Sequence, residues 1–141
     1  MNRHSNNPLI TPKDVVPSLP GRKVECVFNT GVTEYNGEII LLLRVAESVL
    51  NDDPQQIVVP LLESHAGGWR QTTKMFHRGD ERYDFSDPRT IVLKSDPSQL
   101  WLTSMSHLRL ARSKDGVHYA IDTQPFIIAD SRYEEFGCED A

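Results

Sequence analysis

Midway through the stretch "VECVFNTGVTEYNGEIILLLRVAES", the pair Asn36-Gly37 separates "GVTEY" from "EIILLLRV". A tight two-residue turn of type I′ needs positive φ at both central positions, and Asn-Gly meets that demand at least cost. The pair therefore predicts a β-hairpin. Its second strand is apolar on both faces, as in a strand covered on both sides of its sheet. A hairpin alone is unstable in water, so the rest of the chain must supply neighbours.

Those neighbours are also extended. "QQIVVPLLE" (Gln55 to Glu63) reads as a strand that Pro60, lacking an N–H, pushes toward an edge or a bulge. "TIVLK" (Thr90 to Lys94) is a short strand, and "LWLTSMSHLRLARS" alternates apolar and polar residues toward its end. "SKDG" (Ser113 to Gly116) turns the chain so that "VHYAI" returns as a partner, with "QPFII" as a last short strand. The polar, glycine-containing stretch from Ser64 to Asp87 is expected to be mostly loop. Residues 1–23 carry four prolines and no sustained periodicity, which predicts an extended N-terminal arm lying on something else. "RVAESVLND" is the nearest thing to a helical pattern, and it is short. The chain is therefore read as all-β, with hairpins spaced as in a sandwich, barrel or propeller.

A length of 141 residues, 38% hydrophobic and 25% charged, suits one modest soluble domain. The net charge of −5 argues against a broad cationic surface for nucleic acid or anionic lipid. The longest apolar run, "IILLL", is far too short to span a membrane. "MNRHSNNPLITPKD" has no apolar core of signal-peptide length, so a cytoplasmic protein is expected. Cys26 and Cys138 are then expected to be reduced. Neither has a second cysteine close by and the histidines are scattered, so no zinc spacing exists.

Four motifs occur in order: "NPLITP" (Asn7 to Pro12), "VFNTGVTEYNGEIILLLRVAE" (Val27 to Glu47), "SHLRLARSKDGVHY" (Ser106 to Tyr119) and "YEEFGCEDA" (Tyr133 to Ala141). Together they resemble the N-terminal part of the β-mannoside phosphorylases and β-mannosidases of glycoside hydrolase family 130. The resemblance implies a five-bladed β-propeller with the sugar bound at its central axis. At roughly 40–50 residues per blade, residues 24–141 amount to about two blades, an incomplete propeller. The family's last motif continues to an arginine beyond Asp140, so the resemblance also implies an N-terminal fragment cut inside the catalytic motif.

By the same resemblance Asp140 is the catalytic acid. β-Mannoside cleavage requires a proton on the departing oxygen and a nucleophile on the opposite face of the ring. In the family's phosphorylases inorganic phosphate is that nucleophile, the acid acts through the sugar's 3-hydroxyl, and inversion gives α-mannose 1-phosphate. Neither metal nor organic cofactor is implied. Glu139, its neighbour, is expected to face a hydrogen-bond network rather than the sugar. Asn29, placed at the end of the first strand, has an amide that both donates to and accepts from sugar hydroxyls, although "NTG" is also good turn chemistry. Thr30 would offer phosphate a hydroxyl or a backbone amide.

Arg44 is the anomaly of the apolar strand, because a cation there must emerge or be paired. The resemblance puts it in the sugar pocket, where its planar fork suits hydroxyls or a carboxylate. Alternation is expected to bring His107, Arg109 and Arg112 to one face, opposite Leu108 and Leu110, where His107 and Arg109 could touch the leaving sugar or phosphate. Contacts between blades are the competing use. Trp69, beside Gly67-Gly68, is a candidate lip over the site, whereas Trp101 lies among core-like residues.

The expected ligand is a β-linked manno-oligosaccharide, with no nucleic acid or membrane partner, and with self-association through exposed sheet edges. Two alternatives stay open: a β-mannoside hydrolase of the same fold, and a non-catalytic β module that binds a partner.

Overall fold

A computed structural model describes residues 4–139. Its nine strands are β1 (Arg22–Tyr35), β2 (Glu38–Val49), β3 (Gln56–His65), β4 (Gly68–His77), β5 (Tyr83–Asp84), β6 (Thr90–Leu93), β7 (Leu100–Leu102), β8 (Ser104–Ser113) and β9 (Ala120–Ile121). They form a four-stranded sheet in the order β1-β2-β8-β9, the two-stranded ribbon β3-β4, and the three-stranded sheet β5-β6-β7.

The β1–β2 hairpin turns at Asn36 and Gly37, whose φ values of 51° and 76° are the two positive angles a type I′ turn demands. β2 is central, paired along its length with β1 and β8, and it is apolar on both faces because a core cluster covers each. On one face Leu43 and Val45 pack with Val15, Val24 and Ala111. On the other, Leu42 meets a cluster of Leu62, Met105, Leu108, Ala129 and Cys138. A third cluster of Val59, Phe76 and Ile91 takes in Tyr83, Phe85 and Trp101. There Phe76 meets Tyr83 edge-on at 5.0 Å, and the Lys74 ammonium lies 3.8 Å from the Trp101 ring, so Trp101 belongs to the core.

Several expectations need correction. Ser64–Asp87 is not mostly loop, since β4 and β5 lie within it. β4 leaves half of its residues exposed and pairs with β3 alone, so its sequence is rich in polar groups and looks loop-like. The short "RVAESVLND" lies largely within β2, in keeping with the all-β reading. "VHYAI" contributes only Ala120–Ile121 to pairing, and "QPFII" only a bridge between Ile127 and Leu108. Arg112 does not share a face with His107 and Arg109. It is an odd number of residues from both, pairs in register with Ile40, and forms an ion pair with Asp122 at 2.6 Å.

The arm is anchored. A short 3-10 turn at Pro12–Asp14 is capped by Asp14, whose carboxylate accepts from the Thr11 N–H at 2.8 Å. Val15 then inserts into the core of the first sheet, and β1 begins at Arg22, just inside the stretch read as arm. Among the described residues no helix is long and apolar enough to cross a membrane.

Candidate functional site

β1 does not end at Asn29. It carries a bulge there: Phe28 pairs with Arg44 and Gly31 with Leu42, leaving Asn29 and Thr30 together opposite Leu43. The extra residue is accommodated because Asn29 adopts a left-handed conformation, φ 47°, which asparagine tolerates better than most side chains. Both bulge residues are exposed, so an amide and a hydroxyl stand out from the sheet beside Phe28.

Opposite Phe28, Arg44 resolves the anomaly of its apolar strand by pairing. Its Nη2 donates to Glu139 Oε1 at 2.8 Å and its Nε donates to Ser106 Oγ at 3.2 Å. Its guanidinium carbon sits 4.7 Å from the centre of the Phe28 ring, within cation–π range. The Arg44 side chain is 14% exposed and that of Glu139 is 64% exposed, so the pair lies at the rim of the sheet, one end dry and the other wet.

The segment bearing Glu139 is docked on β8. The Cys138 N–H donates to Ser106 O at 2.9 Å, and the Ser106 hydroxyl donates to Cys138 O at 2.8 Å. Gly137 makes this approach possible. It adopts φ 94°, and a Cβ there would lie 2.6 Å from Ser106 N. Asp140 lies outside the described residues, immediately after this docked segment.

His107 and Arg109 lie on the opposite face of β8, turned toward the arm. Arg109 is fully buried; its Nη1 donates to Val16 O at 2.6 Å, and its Nη2 lies 3.1 Å from His107 Nε2 and 3.8 Å from Glu47 Oε1. Glu47 in turn accepts from the Ser18 N–H at 2.8 Å and the Ser18 hydroxyl at 2.5 Å. Burial lowers the His107 pKa to about 4, against the opposing pull of Glu47. Burial also lowers that of Arg109, again with Glu47 opposing. This network joins the arm to the first sheet.

Trp69 packs against the cluster containing Leu108 and Cys138, beneath the docked segment. A cleft of about 890 Å³ opens between the first sheet and the β5–β7 region; it includes Phe28 but not Arg44 or Glu139, so it borders the site without containing it. Cys26 is an exposed free thiol on this cleft and Cys138 a buried one. Ser106, Phe28 and Glu47 are the contributors that sequence reasoning missed. The one available signal was the pair of serines interrupting the apolar pattern of "SMSHL".

The Arg44 fork thus meets the Glu139 carboxylate and the Phe28 ring, next along the strand from a bulge that exposes an amide and a hydroxyl, and these groups are of the donor and acceptor types that suit a polyhydroxylated ligand. Fold and site together define a partial β-propeller whose resemblance to glycoside hydrolase family 130 runs along the whole chain. The chain is 46% identical over 140 residues, 99% of its length, to β-1,2-mannobiose phosphorylase from Listeria innocua serovar 6a, of which it spans 39%. A solved structure of the Listeria innocua β-1,2-mannobiose phosphorylase, in complex with β-1,2-mannobiose, superposes with a TM-score of 0.84 at 44% identity, covering 95% of this chain and 38% of that one. No family model matches the chain.

Proposed function

We propose that this chain is the N-terminal part of an inverting phosphorylase of β-linked manno-oligosaccharides, with inorganic phosphate as co-substrate and α-mannose 1-phosphate as product. The observation that carries the proposal is the Arg44–Glu139 pair beside the Asn29 bulge, in a chain 46% identical throughout to a β-1,2-mannobiose phosphorylase. Arg44 and Asn29 bind the mannose, Thr30 faces phosphate, and Glu139 holds Arg44. Asp140 supplies the proton to the departing oxygen. The outer edge of β1, with Val32 and Tyr35 exposed, is the surface for self-association. Two free cysteines suit a cytoplasmic setting.

The test is Asp140→Asn in the full-length gene product, assayed on a β-linked mannobiose and on an activated aryl mannoside. The amide keeps the size of the carboxyl group but supplies no proton. Turnover of the disaccharide should fall by about 10²- to 10⁴-fold, as general acid catalysis is typically worth, with sugar binding nearly intact. The aryl substrate, needing less protonation, should lose far less. Equal losses on both would remove Asp140 from the role of acid. Wild-type protein releasing free mannose with no dependence on phosphate would replace phosphorolysis by hydrolysis.

A further inference from the structure

We infer that Ser106 is a positioning residue for this site: its hydroxyl ties Arg44 to the segment that carries the two carboxylates. The inference rests on the function proposed above for Arg44 and Asp140. Ser106 lies on β8 and is 6% exposed, so its polar atoms are satisfied within the protein or not at all. Its Oγ does two things at once. It accepts from Arg44 Nε at 3.2 Å and donates to Cys138 O at 2.8 Å. These roles fix the hydroxyl proton on the Cys138 side, because a guanidinium only donates and a carbonyl only accepts.

The backbone of the same residue grips the same segment. Ser106 O accepts from the Cys138 N–H at 2.9 Å, and Ser106 bridges Gly137 in parallel register. The chain from Gly137 to Glu139 is therefore held by both the main chain and the side chain of one residue. Glu139 returns to Arg44 at 2.8 Å and closes the loop from Arg44 through Ser106 and Cys138 to Glu139. Among the described residues, Ser106 and Glu139 thus hold Arg44 at different nitrogens, which constrains the plane of its fork as well as its position. The direction in which its fork meets a sugar is set from β8, by a residue that is itself buried.

Ser106→Ala deletes one oxygen, so the fold has no steric reason to change. The main-chain bonds remain, but Arg44 Nε and Cys138 O both lose the hydroxyl. Ser106→Thr restores the hydroxyl at the same place. In the full-length gene product, Ser106→Ala should lower kcat on β-linked mannobiose by about 10- to 100-fold, the worth of a hydrogen bond to a charged group. The aryl mannoside should suffer less, and Ser106→Thr should recover most of the loss. An independent readout needs no turnover: the Arg44 Nε–H resonance, assigned by its loss in Arg44→Lys, should shift and exchange faster in Ser106→Ala.

A Ser106→Ala protein with an unchanged Arg44 resonance, or with normal kcat and KM per folded molecule, would overturn the inference. Joint loss of stability and activity that threonine does not rescue would do so too. Should wild-type protein cleave no β-mannoside, the proposed function falls while the resonance still decides the role of Ser106.

Discussion

Glu47→Ala should be among the most damaging single substitutions in this chain. Glu47 is 4% exposed and Arg109 fully buried, with 3.8 Å between Arg109 Nη2 and Glu47 Oε1. Removing the carboxylate leaves a buried guanidinium with its Val16 carbonyl and a histidine that burial keeps from carrying charge. Breaking a buried pair from one side costs about 3–5 kcal/mol, because the remaining charge loses its counter-ion without regaining water. The Ser18 N–H and hydroxyl lose their acceptor at the same time, freeing the arm. Domains of this kind have only about 5–15 kcal/mol in total. With a urea slope of about 1–3 kcal/mol per molar, the unfolding midpoint should drop by roughly 1–5 M. Glu47→Gln should lose less, since its amide oxygen still accepts from Ser18. The double variant Glu47→Ala/Arg109→Met should recover part of the loss, as replacing both charges removes the uncompensated one. A loss below about 1 kcal/mol in Glu47→Ala, with no recovery in the double variant, would refute the claim that this pair bears on stability.

His107 gives a pH signature. Its pKa falls from 6.5 to about 4 on folding, so the unfolded chain binds the proton first as the solution is acidified. The stability tied to neutral His107 is complete above about pH 6.5 and lost progressively toward pH 4, about 3 kcal/mol at full size. Urea midpoints from pH 7 to 4.5 should fall less steeply in His107→Gln than in the parent, and parallel slopes would contradict it. Arg44→Ala in the full-length gene product should lower kcat/KM by about 10- to 100-fold. Its unfolding free energy should fall by only about 1 kcal/mol, because Glu139 is 64% exposed and such rim pairs contribute little. The reverse pattern, lost stability with normal specific activity, would make Arg44 a structural partner only.

Legibility in this sequence follows the range of the forces. Asn36-Gly37 announces its hairpin because the turn is decided by two residues' own φ angles. The buried strand beside it is legible because β2 is covered on both faces. Strand β4 is not, because it pairs with β3 alone and its apolar residues find their partners far away in sequence, Phe76 with Ile91 and Trp101, and Trp69 with Leu108 and Cys138, while half of its residues stay exposed. At the site, Arg44 is conspicuous as a cation in an apolar run. Its partners Ser106 and Glu139, 62 and 95 residues away, follow no local pattern. The resemblance to a family supplies Asn29 and Asp140, but the bulge that exposes Asn29 depends on a register only the paired strand reveals.

That bulge makes chain length itself a parameter of the site. Phe28 and Gly31 both pair with residues of the Arg44 face, although three positions separate them. Deleting Asn29 or Thr30 would remove this interruption of the β1–β2 ladder and keep every residue beyond on its present face. A one-residue deletion here would therefore regularise the sheet while taking away the projecting amide or hydroxyl. Substitutions at these positions change what is presented to a ligand, whereas a deletion removes the presentation and leaves a tidier protein behind. Selection for stability alone would drift toward that shorter strand, so a retained bulge in descendants of this chain would be a record of function.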